Sequence, residues 1–178
     1  MAGTSAEGPD AADVPFTEAA RQLLADARAE SDRLRHEYVG TEHVVLALAG
    51  HRETAALLTR LGIDGEKLRA SVDYLIQPGQ AALPSGAERP FTSKTKQAFA
   101  SAAEYARSLG HAGVGVEHVL VRLLRERMNV GAQVLQHHGL TVAQATTEAQ
   151  QRGPRRGCVV SGDAGEVTDR DRESGTRP

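Results

Sequence analysis

The sequence predicts an all-α fold, a tandem repeat of two four-helix units related by pseudo-two-fold symmetry. Three observations predict it. Phe16-Thr17 recurs as Phe91-Thr92, and Val39-Gly40-Thr41-Glu42-His43-Val44 recurs as Val114-Gly115-Val116-Glu117-His118-Val119, both pairs 75 positions apart. A shared offset over that span marks a duplicated structural unit. The apolar residues fall at helical spacing throughout the repeated part. Finally, the 178 residues are 40% hydrophobic but only 3% aromatic, with no Trp. A core of Leu, Val, Ile and Ala suits helix-on-helix packing.

Thr17 stands where a side-chain oxygen can accept a free N–H of the first helix. That helix carries Ala20, Leu23, Leu24, Ala27 and Leu34 on one face. Gly40-Thr41 opens the second, with Val44, Val45, Leu48 and Ala49 apolar. The third bears Ala55, Leu57, Leu58 and Leu61 and stops at Gly62, a C-terminal breaker. Asp64 caps a fourth with Leu68, Val72, Leu75 and Ile76 inward. In the second copy Thr92, Gly115-Val116, Asn129 and Thr141 start the corresponding helices. The predicted organisation is therefore a disordered segment over 1–14, repeats over 15–77 and 91–152 with a linker at 78–90, and a disordered tail over 153–178. Four short helices bury little alone, so the two units are expected to pack together.

The formal net charge of −2 provides no basic field for nucleic acid. Arg152, Arg155 and Arg156 form a small cluster that acidic residues soon dilute. The single cysteine, Cys158, excludes an internal disulfide. The polar, acidic N-terminus has no secretory pattern, and no apolar run approaches a membrane span, so a cytoplasmic protein without a membrane partner is expected. His36, His43, His111 and His118 lack a companion Cys or carboxylate cluster of ligand spacing. They read as partly buried, hydrogen-bonded histidines. Neither a metal nor any cofactor is expected. No nucleophile, base and orienter can be assembled, which argues against an enzyme. Glu42 and Glu117 lie in the first turn of a helix, where the dipole favours a negative charge. Gly40 and Gly115 read as shaping the turn into that helix.

The order Phe-Thr, Leu-x-His, Gly-Thr-Glu-His-Val-Val-Leu-x-Leu and Leu-x-x-Leu-Gly resembles the Clp N-terminal repeat domain, nearest to the ClpC type of unfoldase. The resemblance covers about residues 15–152. It implies a non-enzymatic module that recognises Clp substrates, adaptors or Clp ATPase and protease components. In ClpC-type members it further implies binding of phosphorylated arginine. Carried over residue by residue, the ligand site falls on Thr17 and Glu42 in the first copy and on Thr92 and Glu117 in the second. A carboxylate suits the guanidinium side of such a ligand, and hydroxyls with N–H groups at a helix start suit the phosphate. Val116 replaces Thr41 in the second copy, so the two sites are expected to differ. No Gly-x-x-x-x-Gly-Lys-[Ser/Thr] phosphate loop occurs, so an N-domain without a motor is expected. The alternative reading is a regulatory or scaffolding protein that acts mainly through its tails.

Overall fold

The computed structural model describes residues 14–152 except Ala82, Ser85 and Arg127, and only the backbone of Glu53 and Arg152. The expected C-terminal tail with Cys158, and residues 1–13, lie outside the described residues. Among the described residues eight helices follow in order: α1 Glu18–Arg33, α2 Thr41–Gly50, α3 Arg52–Arg60, α4 Gly65–Leu75, α5 Ser93–Ser108, α6 Val116–Arg125, α7 Val130–His137 and α8 Val142–Arg152. No strand runs between them among the described residues. The fold is all-α, as the repeat and its periodicity predict.

The helix starts follow local chemistry. Thr17 and Thr92 each accept the N–H three residues on, from Ala20 and Thr95. Asp64 accepts from Glu66 and Lys67, and Asn129 from Ala132. Such a cap satisfies a backbone donor that the helix leaves unpaired, worth about 1 kcal/mol each. α2 is buried on nearly every side, from Thr41 to Leu48, because α1, α3, α4 and α7 all pack on it. A helix apolar all round belongs at the centre of a core. α6 holds the same place in the second unit, against α5, α7 and α8.

Two parallel bridges knit the units together. Phe16 pairs with Val114, and Val39 with Phe91. Both phenylalanines then meet Phe99 edge-to-face, with ring centroids 6.1 and 5.7 Å away. The duplicated Phe-Thr pair therefore has two tasks: the phenylalanine carries the bridge to the other copy, and the threonine hydroxyl caps a helix. The symmetry is imperfect. α7 packs on α2 and α4 of the first unit, whereas α3 makes no comparable contact with α6 among the described residues. Gly131 allows this approach, since a Cβ there would lie 2.8 Å from the Thr41 carbonyl oxygen.

Three details differ from the sequence reading. Val14, assigned to the N-terminal segment, is buried, and Pro15 accepts the Val114 N–H. Pairing across the repeats draws those residues in. Leu75, expected inside, is 59% exposed, because α4 ends there and its inward face is carried by Leu68 and Val72. The linker is strapped down. Gly79 and Ala81 donate N–H bonds to the Leu34 and Arg35 carbonyls, and Arg89, 3% exposed, reaches Asp32 at 2.7 Å and the His36 carbonyl at 2.8 Å.

Candidate functional site

Each second helix begins with the same construction. Gly40 N–H donates to His43 Nδ1 at 2.9 Å, and Gly115 N–H to His118 Nδ1 at 2.9 Å. Because Nδ1 accepts, the proton of each neutral ring sits on Nε2, which faces the next imidazole. His43 Nε2 lies 2.8 Å from His36 Nδ1, and His118 Nε2 lies 2.8 Å from His111 Nδ1. In the first unit His36 Nε2 then donates to the Gln77 carbonyl at 2.9 Å. Directionality thus fixes the tautomer along the chain. Burial, followed by the neighbouring imidazole, pushes His43 and His118 down to about 4. Both have no exposed surface, so the expectation of partly buried histidines understates them.

The same bonds bear on metal binding. His36, Glu42 and His43 place ligand atoms within 4.8 Å of one another. Yet the facing lone pair and N–H of the two rings are spent on each other, and His43 Nδ1 already accepts from Gly40. The 3.3 Å contact between His43 Nδ1 and Glu42 Oε1 is proximity, since a neutral ring makes no ion pair. The donor set is oriented for a hydrogen-bond relay.

The glutamates fold back over the turn that precedes them. A Cβ on Gly40 would meet Glu42 Oε1 at 2.1 Å, and one on Gly115 would meet Glu117 Oε1 at 2.1 Å. Neither glycine needs its conformational freedom, with φ of −94° and −89°. Glycine leaves room there for the carboxylate, which fills the space a side chain would take. Glu117 is raised above the usual carboxylate range by burial and by Glu148, against the pull of its own backbone N–H and of Arg60.

Read within each copy, Thr17 belongs with Glu42 and Thr92 with Glu117. The fold crosses them. Thr92 N–H donates to the Val39 carbonyl, which brings the start of α5 beside the turn leading into Glu42. Thr17 N–H donates to Val114, which brings the start of α1 beside the turn leading into Glu117. Glu42 and Thr92 together line two adjoining depressions. One, of about 470 Å³, is completed by Arg35, His36, Glu37, Tyr38 and linker residues Gly79–Ala81. The other, of about 350 Å³, is completed by Ser93, Lys94 and Met128–Val130 among others. Arg35, Tyr38, Lys94 and the linker wall were not legible as site residues. Arg35 had one available signal, its register opposite Gly110 in the other copy.

A duplicated helical platform, with a carboxylate at the start of one unit facing a hydroxyl-capped helix start of the other, defines a class of paired-repeat helical domains. The chain belongs to the Clp repeat (R) N-terminal domain family, which it matches over residues 15–138 and 90–168. It is 37% identical over 138 residues to "Negative regulator of genetic competence ClpC/MecB" of Bacillus subtilis, covering 76% of this chain and 17% of that protein. It is 36% identical over 138 residues to the chaperone protein ClpB of Oceanobacillus iheyensis, again covering 76% and 17%. The chain thus spans about a sixth of the length of these curated relatives. Among solved structures it is similar to the N-terminal domain of ClpD from Arabidopsis thaliana, with TM-score 0.62 and 25% identity, covering 82% of this chain and 98% of that one. The Hsp104 N-terminal domain from Candida albicans shares the fold, with TM-score 0.64 and 17% identity over 80% and 97%. No described helix is long and apolar enough to cross a membrane.

Proposed function

We propose that the chain is a non-catalytic protein-recognition module of the Clp system, acting in the cytoplasm on substrates, adaptors or Clp ATPase and protease components. Its ligand is an arginine side chain that carries a phosphoryl group. The observation that supports this most is the shared wall of Glu42 and Thr92. A carboxylate, 21% exposed, stands beside a helix start whose Ser93 and Lys94 side chains are exposed. The guanidinium end of the ligand would pair with Glu42 through charge-assisted bonds. Its phosphoryl end would meet the α5 N-terminus, where free N–H groups and the helix dipole favour an anion. Nucleic acid is not a ligand in this reading, given a net charge of −2.

The test is fluorescence anisotropy of a labelled peptide carrying phosphoarginine, competed by free phosphoarginine. Saturable binding that free phosphoarginine reverses, and that the unphosphorylated peptide does not reproduce, is expected. Equal binding of both peptides, or binding of neither, would end the reading.

A further inference from the structure

We propose that the two repeat-related pockets are unequal, and that only the Glu42–Thr92 pocket takes the phosphoryl-guanidinium ligand, with Arg35 and Lys94 as its specificity-determining residues. This rests on the function proposed above and narrows it to one site.

The positions beside Glu42 and Glu117 can be matched at a fixed offset, and their chemistry differs. At the 75-residue offset, Arg35, Glu37 and Tyr38 stand where the other copy has Gly110, Ala112 and Gly113. At the helix that would face the phosphoryl group, Ser93-Lys94 stands where the other copy has Glu18-Ala19. The first pocket therefore has walls: a guanidinium and a phenol on one side, an ammonium on the other, and linker backbone at Gly79–Ala81. At the second, Glu18 sits in the first turn of α1, where it competes with any incoming anion. Arg21 is already committed there, to Glu18 at 2.7 Å and to the Phe16 carbonyl at 2.9 Å. Arg60 is committed to Glu148 at 2.8 Å.

Arg35 adds an independent observation. Its φ is 54°, in the left-handed region that disfavours a side chain, while its counterpart Gly110 adopts φ 70° without that penalty. A strained non-glycine residue where the twin copy uses glycine is the pattern expected of a position kept for a binding role. The linker holds it there: Ala81 donates to the Arg35 carbonyl, and a Cβ on Gly79 would lie 2.2 Å from that oxygen. Lys94 lies at the opposite wall, with Nζ bonded to the Met128 carbonyl, from which it can swing to a phosphate.

Isothermal titration of the full chain with a phosphoarginine peptide reads this directly. One ligand per chain is expected, unchanged by Glu117→Gln and abolished by Glu42→Gln. Arg35→Gly with Lys94→Ala, which installs the residues of the other copy, is expected to weaken the phosphorylated peptide tenfold or more. Circular dichroism confirms that each variant is folded. Two ligands per chain, or loss of binding in Glu117→Gln, would overturn the inequality and leave the proposed function standing. No binding by the unmodified chain would overturn both. Affinity unchanged in the double variant would remove Arg35 and Lys94 from the account.

Discussion

Acidification should destabilise this domain in a window set by two histidines. His43 and His118 hold a proton only below about 4 when folded, against about 6.5 for an exposed histidine. A group whose folded value is depressed favours folding fully above its unfolded value. That contribution is lost as pH falls from about 6.5 towards 4. Between pH 7.5 and 5 the loss is about 2 kcal/mol per histidine, or about 4 kcal/mol for the pair. That is a large part of a domain's usual stability of about 5–15 kcal/mol. The largest cause is burial, and the neighbouring imidazole comes next. A proton on Nδ1 would evict the Gly40 or Gly115 N–H, and a charged ring would face His36 or His111 in a dry environment. Glu30 and Arg33 act on His43 with opposite signs, so neither rescues the charge. Urea unfolding at pH 7.5, 6 and 5 checks this. In His43→Gln with His118→Gln, glutamine can still accept the helix-start N–H, so the double variant should lose most of the pH dependence. Equal slopes against pH in both proteins would refute the reasoning.

Three further outcomes follow from the same geometry. Arg35→Gly should raise stability by up to about 1 kcal/mol in chemical denaturation, because it relieves a left-handed side chain while removing a pocket wall. Gly40→Ala should change stability by about 1 kcal/mol or less, since the Glu42 carboxylate it strikes is a flexible end, yet it should reduce phosphoarginine binding by displacing that carboxylate. Arg89→Ala removes a buried guanidinium that holds Asp32 and the His36 and Ala87 carbonyls, and frees the linker. It should cost about 2–4 kcal/mol and raise proteolytic cleavage within residues 78–90.

Much of the fold was legible because the duplication and the caps are local signals. Thr17, Asp64, Thr92 and Asn129 each announce a helix start by a side chain acting within three residues. Gly62, at φ 76°, announces a stop in the same way. What the sequence could not reveal depends on contacts between distant residues. The crossing of Thr92 onto Glu42 arises from the Val39–Phe91 bridge, which no periodicity encodes. Arg89 read as part of a polar linker, because its burial requires Asp32, more than fifty residues away. The function of Gly40 and Gly115 was misjudged for a related reason: the turn angles are ordinary, and the constraint comes from a carboxylate folding back.

The central claim is that the wall shared by Glu42 and Thr92 binds the ligand. Mapping amide chemical shifts during titration with free phosphoarginine tests it most directly. The largest shifts are predicted at Thr92, Ser93, Lys94, Glu42 and Ala81, with little change at Thr17, Glu18 and Glu117. Shifts centred on the exposed Tyr74 and Leu75 face, or no shifts at saturating ligand, would contradict it.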